Sequence, residues 1–129
     1  EPNVFSFTDL QNKPVEEWHS VRNFTARNNM MQMKVGELAF FYHSNIGKEI
    51  VGIVEIIREA YPDPTDDSGK FVCVDVKAVA PLKAPVSLAQ IKDETKLSQI
   101  ALVKQSRLSV QPVLDAEWKV ICKMGGIAP

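Results

Sequence analysis

The chain has 129 residues, the size of one domain, and with 45% hydrophobic and 24% charged residues it has the composition of a globular protein with a single core, which excludes disordered and fibrous classes. Its 15 Lys and Arg against 16 Asp and Glu exclude the positive excess that drives sequence-independent binding along a phosphate backbone, so any nucleic-acid contact has to be local. Cys73 and Cys122 are far apart, and His19 and His43 lie in unrelated segments. That excludes metal-ligand spacing and favours buried, reduced thiols, while no apolar run approaches the ~20 residues that span a bilayer.

No repeat, low-complexity tract or polar linker interrupts the chain, so residues 1–129 read as one domain. Thr8 to Asn12 reads as one helical turn, stopped by Pro14. A helix is expected from about Val21 to Met33, ending before Gly36, with Arg22, Ala26, Met30 and Met33 along one face. Leu38 to His43 has the apolar and aromatic density of a strand buried on both faces, and Ser44-Asn45 opens a turn closed by Gly47. The β-branched run from Ile50 to Tyr61 predicts a longer strand, with Gly52 permitting a bulge or a close backbone approach. Pro62 to Gly69 reads as an exposed turn, and Phe71 to Val79 alternates as a third strand that Pro81 and Pro85 are expected to terminate. Ser87 caps a short helix through Ile91, Glu94 to Ile100 carries a weaker helical pattern, and Asp115 is expected to cap a last helix ending at Gly125-Gly126. Between these, Arg107 to Val113 alternates, with Leu108 and Val110 directed at the core and Arg107, Ser109 and Gln111 on the other face. Mixed strands with scattered helices predict an α+β fold built on a small curved or closed sheet.

Three segments hold more polar groups than their structural places require. The first runs from Trp18 through Arg22, Asn23, Arg27 and Asn28, setting a large aromatic face beside directional donors; it reads equally as a ligand wall or as core with its arginines paired to Glu16, Glu17 or Asp9. The second is Phe40 to Asn45, a strand whose mouth carries Tyr42, His43, Ser44 and Asn45, as strand ends at ligand pockets do. The third is the polar face of Arg107, Ser109 and Gln111, which suits a cavity lining or a plain solvent face. No catalytic set emerges. His43 has no nucleophile motif around it, the turn carboxylates Asp63, Asp66 and Asp67 read as solvated, and Glu55 calls for an arginine partner more than for acid catalysis. Neither a metal nor a cofactor is called for.

At these segments the sequence resembles the EVE domain family of PUA-like folds. The resemblance rests on Glu1-Pro2, Trp18, Val21-Arg22-Asn23, Ala26-Arg27-Asn28, Met33 to Glu37, Phe41 to Asn45, Val51 to Glu55, Tyr61-Pro62-Asp63 and Arg107 to Pro112, in family order across nearly the whole chain. It implies a mixed β-barrel of about five or six strands with helices packed around it, and a non-enzymatic role in recognising a modified nucleic-acid base such as methylated or oxidised cytosine. The family is similar in turn to YTH domains, which hold methyladenine in an aromatic cage. Carried onto this chain, Trp18 is the stacking wall, Asn23, Ser44 and Asn45 read the base edge, and Tyr42 and His43 shape the rim. Arg22, Arg27 and Arg107 meet phosphate or buttress the pocket, with Ser109 and Gln111 facing them. Family members begin with an aromatic strand running into Lys-Ser-Glu-Pro, so the resemblance implies a first strand ahead of Glu1. A bacterial member is expected in the cytoplasm and a eukaryotic one in the nucleus. The competing expectation is a metabolite sensor or small-molecule enzyme using the same cavity.

Overall fold

The computed structural model describes residues 7–19, 21–43, 48–105, 108 and 110–127. In chain order these give α1 (Phe7–Gln11), β1 (Glu16–Trp18), α2 (Phe24–Met31), β2 (Leu38–His43), β3 (Glu49–Pro62), β4 (Val72–Ser87), α3 (Leu88–Asp93), a 3-10 turn (Thr95–Leu97), α4 (Ala101–Lys104) and α5 (Asp115–Met124). The class is α+β. The four strands form one antiparallel sheet in the order β1-β4-β3-β2, against the five or six strands expected; β1, unforeseen in the sequence, pairs with β4 at Val74–Val76.

Each boundary has a local cause. Asn23 caps α2 by accepting the Ala26 N–H at 3.0 Å, so the helix starts at Phe24 and not at Val21. Ser87 and Gln90 form a reciprocal capping box at the start of α3. Asp115 is the first residue of α5, and the side chain that closes that end is Glu117, which accepts the Leu114 N–H at 3.0 Å.

The prolines do not end β4, which runs on to Ser87. Ile50 and Gly52 of β3 face Val86 and Pro81, so Leu82–Pro85 bulge out opposite Val51 alone. Pro85 lies in that bulge, where its missing N–H interrupts no ladder, and Pro81 faces Gly52 at the bulge's edge. The bulge also grips the end of α5, because the Ala84 N–H donates to the Gly125 carbonyl at 3.1 Å and Leu82 packs against Gly125.

Adjacent residues of β2 feed different cores. Ala39 and Phe41 join Phe7, Leu10, Ala26 and Met30 beneath α1 and α2, whereas Phe40 and Tyr42 join Ile91, Leu97, Ile100 and Ile121 beneath α3 and α5. Strand β4 serves both: Val74 and Val76 enter the first core, Leu82 and Val86 the second. The 107–113 segment keeps the inward direction expected of it, with Val110 buried and Leu108 packed on the first core, but its described residues form no strand. Side chains tie it down instead. Asn29 of α2 donates to the Val110 carbonyl at 2.7 Å, and Gln111 Nε2 donates to the carbonyls of Gln105 and Leu108 at 2.8 and 2.7 Å.

Candidate functional site

Trp18 is placed by β1, where it stands opposite Val74, and its half-buried indole meets Phe41 edge-on at 5.5 Å. Phe41 in turn meets Phe7 and His43, each at 5.6 Å and edge-on. The Phe7 N–H donates to His43 Nε2 at 3.3 Å, which requires that nitrogen to be unprotonated. Burial pushes the His43 pKa below the ordinary imidazole value, with Glu49, its cross-strand neighbour, opposing more weakly. The result is one cluster of Trp18, Phe41, Phe7 and His43 at the end of β2. Ser44 and Asn45, which follow directly, lie outside the described residues, as do Arg107 and Ser109.

Tyr42 is not part of that cluster. It faces the second core, where burial raises its phenol pKa, so the strand alternation that brings His43 to Trp18 turns Tyr42 away.

The arginines belong to a second place, built by the start of α2 and the β3–β4 turn. Arg22 pairs with Asp63 at 3.1 Å and donates to Thr65 Oγ1 at 2.9 Å. Asp63, expected in a solvated turn, is 3% exposed and also accepts from the Thr65 N–H at 2.7 Å. Arg27 donates to Asn28 Oδ1 at 2.8 Å and to the Lys70 carbonyl at 3.1 Å. Two rings lie between these arginines: Phe24 and Phe71 stack at 5.0 Å, with the Arg22 guanidinium 5.4 Å from Phe71 and that of Arg27 4.8 Å from Phe24. Sequence reasoning missed both rings. The signal for Phe24 was its spacing of three from Arg27, which puts the two on one helix face; Phe71 carried none, since only the turn brings it there.

Elsewhere two carboxylates have structural partners. Glu55 pairs across the sheet with Lys77 at 3.7 Å, a lysine where an arginine was expected, and Tyr61 donates to Asp75 at 2.5 Å beneath the Arg58 guanidinium. Among the described residues no group of three His, Cys, Asp or Glu is placed to hold a metal ion, and no helix is long and apolar enough to cross a membrane. Both cysteines are free and buried.

The model of the EVE domain matches residues 1–124. Thymocyte nuclear protein 1 from Gallus gallus is 36% identical over 93% of this chain, and that from Homo sapiens 34% over 93%. The chain spans 60% and 64% of the lengths of these curated relatives. Among solved structures, a protein of Rhodopseudomonas palustris is 61% identical with a TM-score of 0.93, covering 98% of this chain and 88% of its own. The human THYN1 protein in complex with 5-methylcytosine-containing DNA is 33% identical with a TM-score of 0.88, covering 97% and 88%.

Proposed function

This chain belongs to the EVE domain family, and from that premise we propose that it binds nucleic acid carrying a modified base, methylated or oxidised cytosine or a close relative, and catalyses nothing. The observation that carries the reading is the human relative's complex with 5-methylcytosine DNA, on a fold that this chain shares at a TM-score of 0.88. The Trp18 cluster supplies the matching chemistry. An indole braced edge-on by Phe41 leaves a face for a base, and stacking of that kind contributes about 1–3 kcal/mol per base. In this reading Ser44, Asn45, Arg107 and Ser109 take part in binding, and Asn23, whose Oδ1 caps α2, offers its amide N–H groups. Gln111 acts by fixing the segment that carries Arg107 and Ser109, and Arg22 by buttressing the turn. The sheet forms part of a PUA-like barrel of five or six strands.

A base taken from a duplex has to be flipped at a cost of a few kcal/mol, which an enclosing pocket offsets. With a net charge of −1 the chain gains little from phosphates at long range, so the pocket carries the affinity.

Calorimetric titration with methylated, hydroxymethylated and unmodified oligonucleotides tests the reading. Selective binding is expected, weakened by about 5- to 100-fold in Trp18→Ala with the selectivity lost. Uniform absence of oligonucleotide binding beside tight binding of a non-base metabolite overturns it.

A further inference from the structure

Phe24, the first residue of α2, is 52% exposed. Its ring is nonetheless fixed, stacked on Phe71 at an interplanar angle of 28° and met by the Arg27 guanidinium. The two arginines beside this ring pair differ in charge balance. Arg22 is neutralised by buried Asp63, whereas Arg27 donates to neutral acceptors, Asn28 Oδ1 and the Lys70 carbonyl, and takes part in none of the ion pairs among the described residues. A half-exposed ring backed by Phe71, with a guanidinium over it that has no carboxylate partner among the described residues, matches one nucleotide: the base takes the ring face as the guanidinium moves from it to the phosphate.

The place also fits. Trp18 stands opposite Val74 of β4, and Phe71 is the residue just before that strand, three positions from Val74 or about 10 Å of extended chain. Stacked nucleotides rise about 3.4 Å each, so that length of chain corresponds to about three nucleotides.

We propose that Phe24, on Phe71 and with Arg27, is a second nucleic-acid contact, separate from the base-reading pocket, that stacks a nucleotide flanking the modified one. The proposal rests on the base-reading function and extends it. Phe24 adds to how tightly a strand is held without choosing the base; Trp18 contributes affinity and chooses the base.

The test is filter binding of the full chain to a short single strand with the modified base at its centre, to the unmodified strand, and to the modified mononucleotide alone. Phe24→Ala is expected to weaken strand binding by about 5- to 100-fold, leaving both the ratio between strands and the affinity for the mononucleotide unchanged. Arg27→Gln is expected to flatten the dependence of log affinity on log salt by about 0.7. Phe24→Leu keeps an apolar side chain on Phe71 while removing the ring, and carries the test should the alanine variant not fold. Strand affinity within twofold of wild type in Phe24→Leu, or an equal loss for the mononucleotide, overturns the second contact. A wild type that binds both strands equally overturns the base reading alone, and the contact then stands on the Phe24→Leu strand affinity. A wild type that binds no strand overturns both.

Discussion

At Gly52 the place of a side chain is taken by another residue's ring. A Cβ there would lie 2.3 Å from Phe7 Cζ and 2.5 Å from Cε1, far inside contact distance. Phe7 is 4% exposed, packed edge-on against Phe41, and its own N–H is held by His43, so it has nowhere to retreat. Gly52→Ala is therefore expected to cost about 1–3 kcal/mol in urea unfolding, an overpacking penalty. The loss extends to the Trp18 cluster, because displacing Phe7 unseats His43. A stability within 0.5 kcal/mol of wild type (about the scatter of a surface substitution) would contradict this account.

The β3–β4 turn shows electrostatics acting on an element. Asp66 accepts from the Ser68 hydroxyl at 2.7 Å, the Phe71 N–H at 2.9 Å and the Ser68 N–H at 3.0 Å, and these bonds, the Ser68 hydroxyl foremost, hold its pKa at about 2 against an ordinary 3.8. A depressed carboxylate favours the folded turn above the unfolded pKa, and the benefit disappears as pH falls from about 4 through about 2. Unfolding curves across that window should show stability declining in wild type and a shallower decline in Asp66→Asn. Equal slopes would show that the turn does not depend on the charge. Elements of this kind were only partly legible in the sequence. β2, β3 and the first half of β4 follow from aromatic density, β-branching and alternation, which are local properties. β1 is three residues, Glu-Glu-Trp, with no pattern of its own, and it exists because the β4 edge accepts it. The run past Pro81 and through Pro85 was hidden because pairing at Gly52 and the bulge after it are decided by the partner strand. The residue types of the site were legible, but their sorting was not: strand alternation separates Tyr42 from His43, and a turn some 40 residues away in sequence draws Arg22 off to Asp63.

In the whole molecule the three long strands are shared by both cores, so neither core has a sheet of its own. Met30 and Leu97, each 0% exposed, belong to different cores. Met30→Ala and Leu97→Ala are each expected to lose about 2–5 kcal/mol. Both should shift one and the same unfolding transition, as coincident far- and near-ultraviolet dichroism would report. A biphasic curve in either variant would mean that the cores fold independently.

The adjacent pair Phe40 and Phe41 gives the protein two separate optical reporters. Trp118 stacks on Phe40 at 3.9 Å in one core, and Trp18 meets Phe41 at 5.5 Å on the other side of the strand. Emission from the native protein is thus a sum of two signals of which the proposed ligand touches one. In Trp118→Phe the remaining indole is Trp18, and its fluorescence should be quenched as a base stacks upon it. In Trp18→Phe the remaining indole is Trp118, and its spectrum should stay constant through the same titration. Neighbouring residues on one strand thereby separate a read-out of occupancy from a read-out of folding.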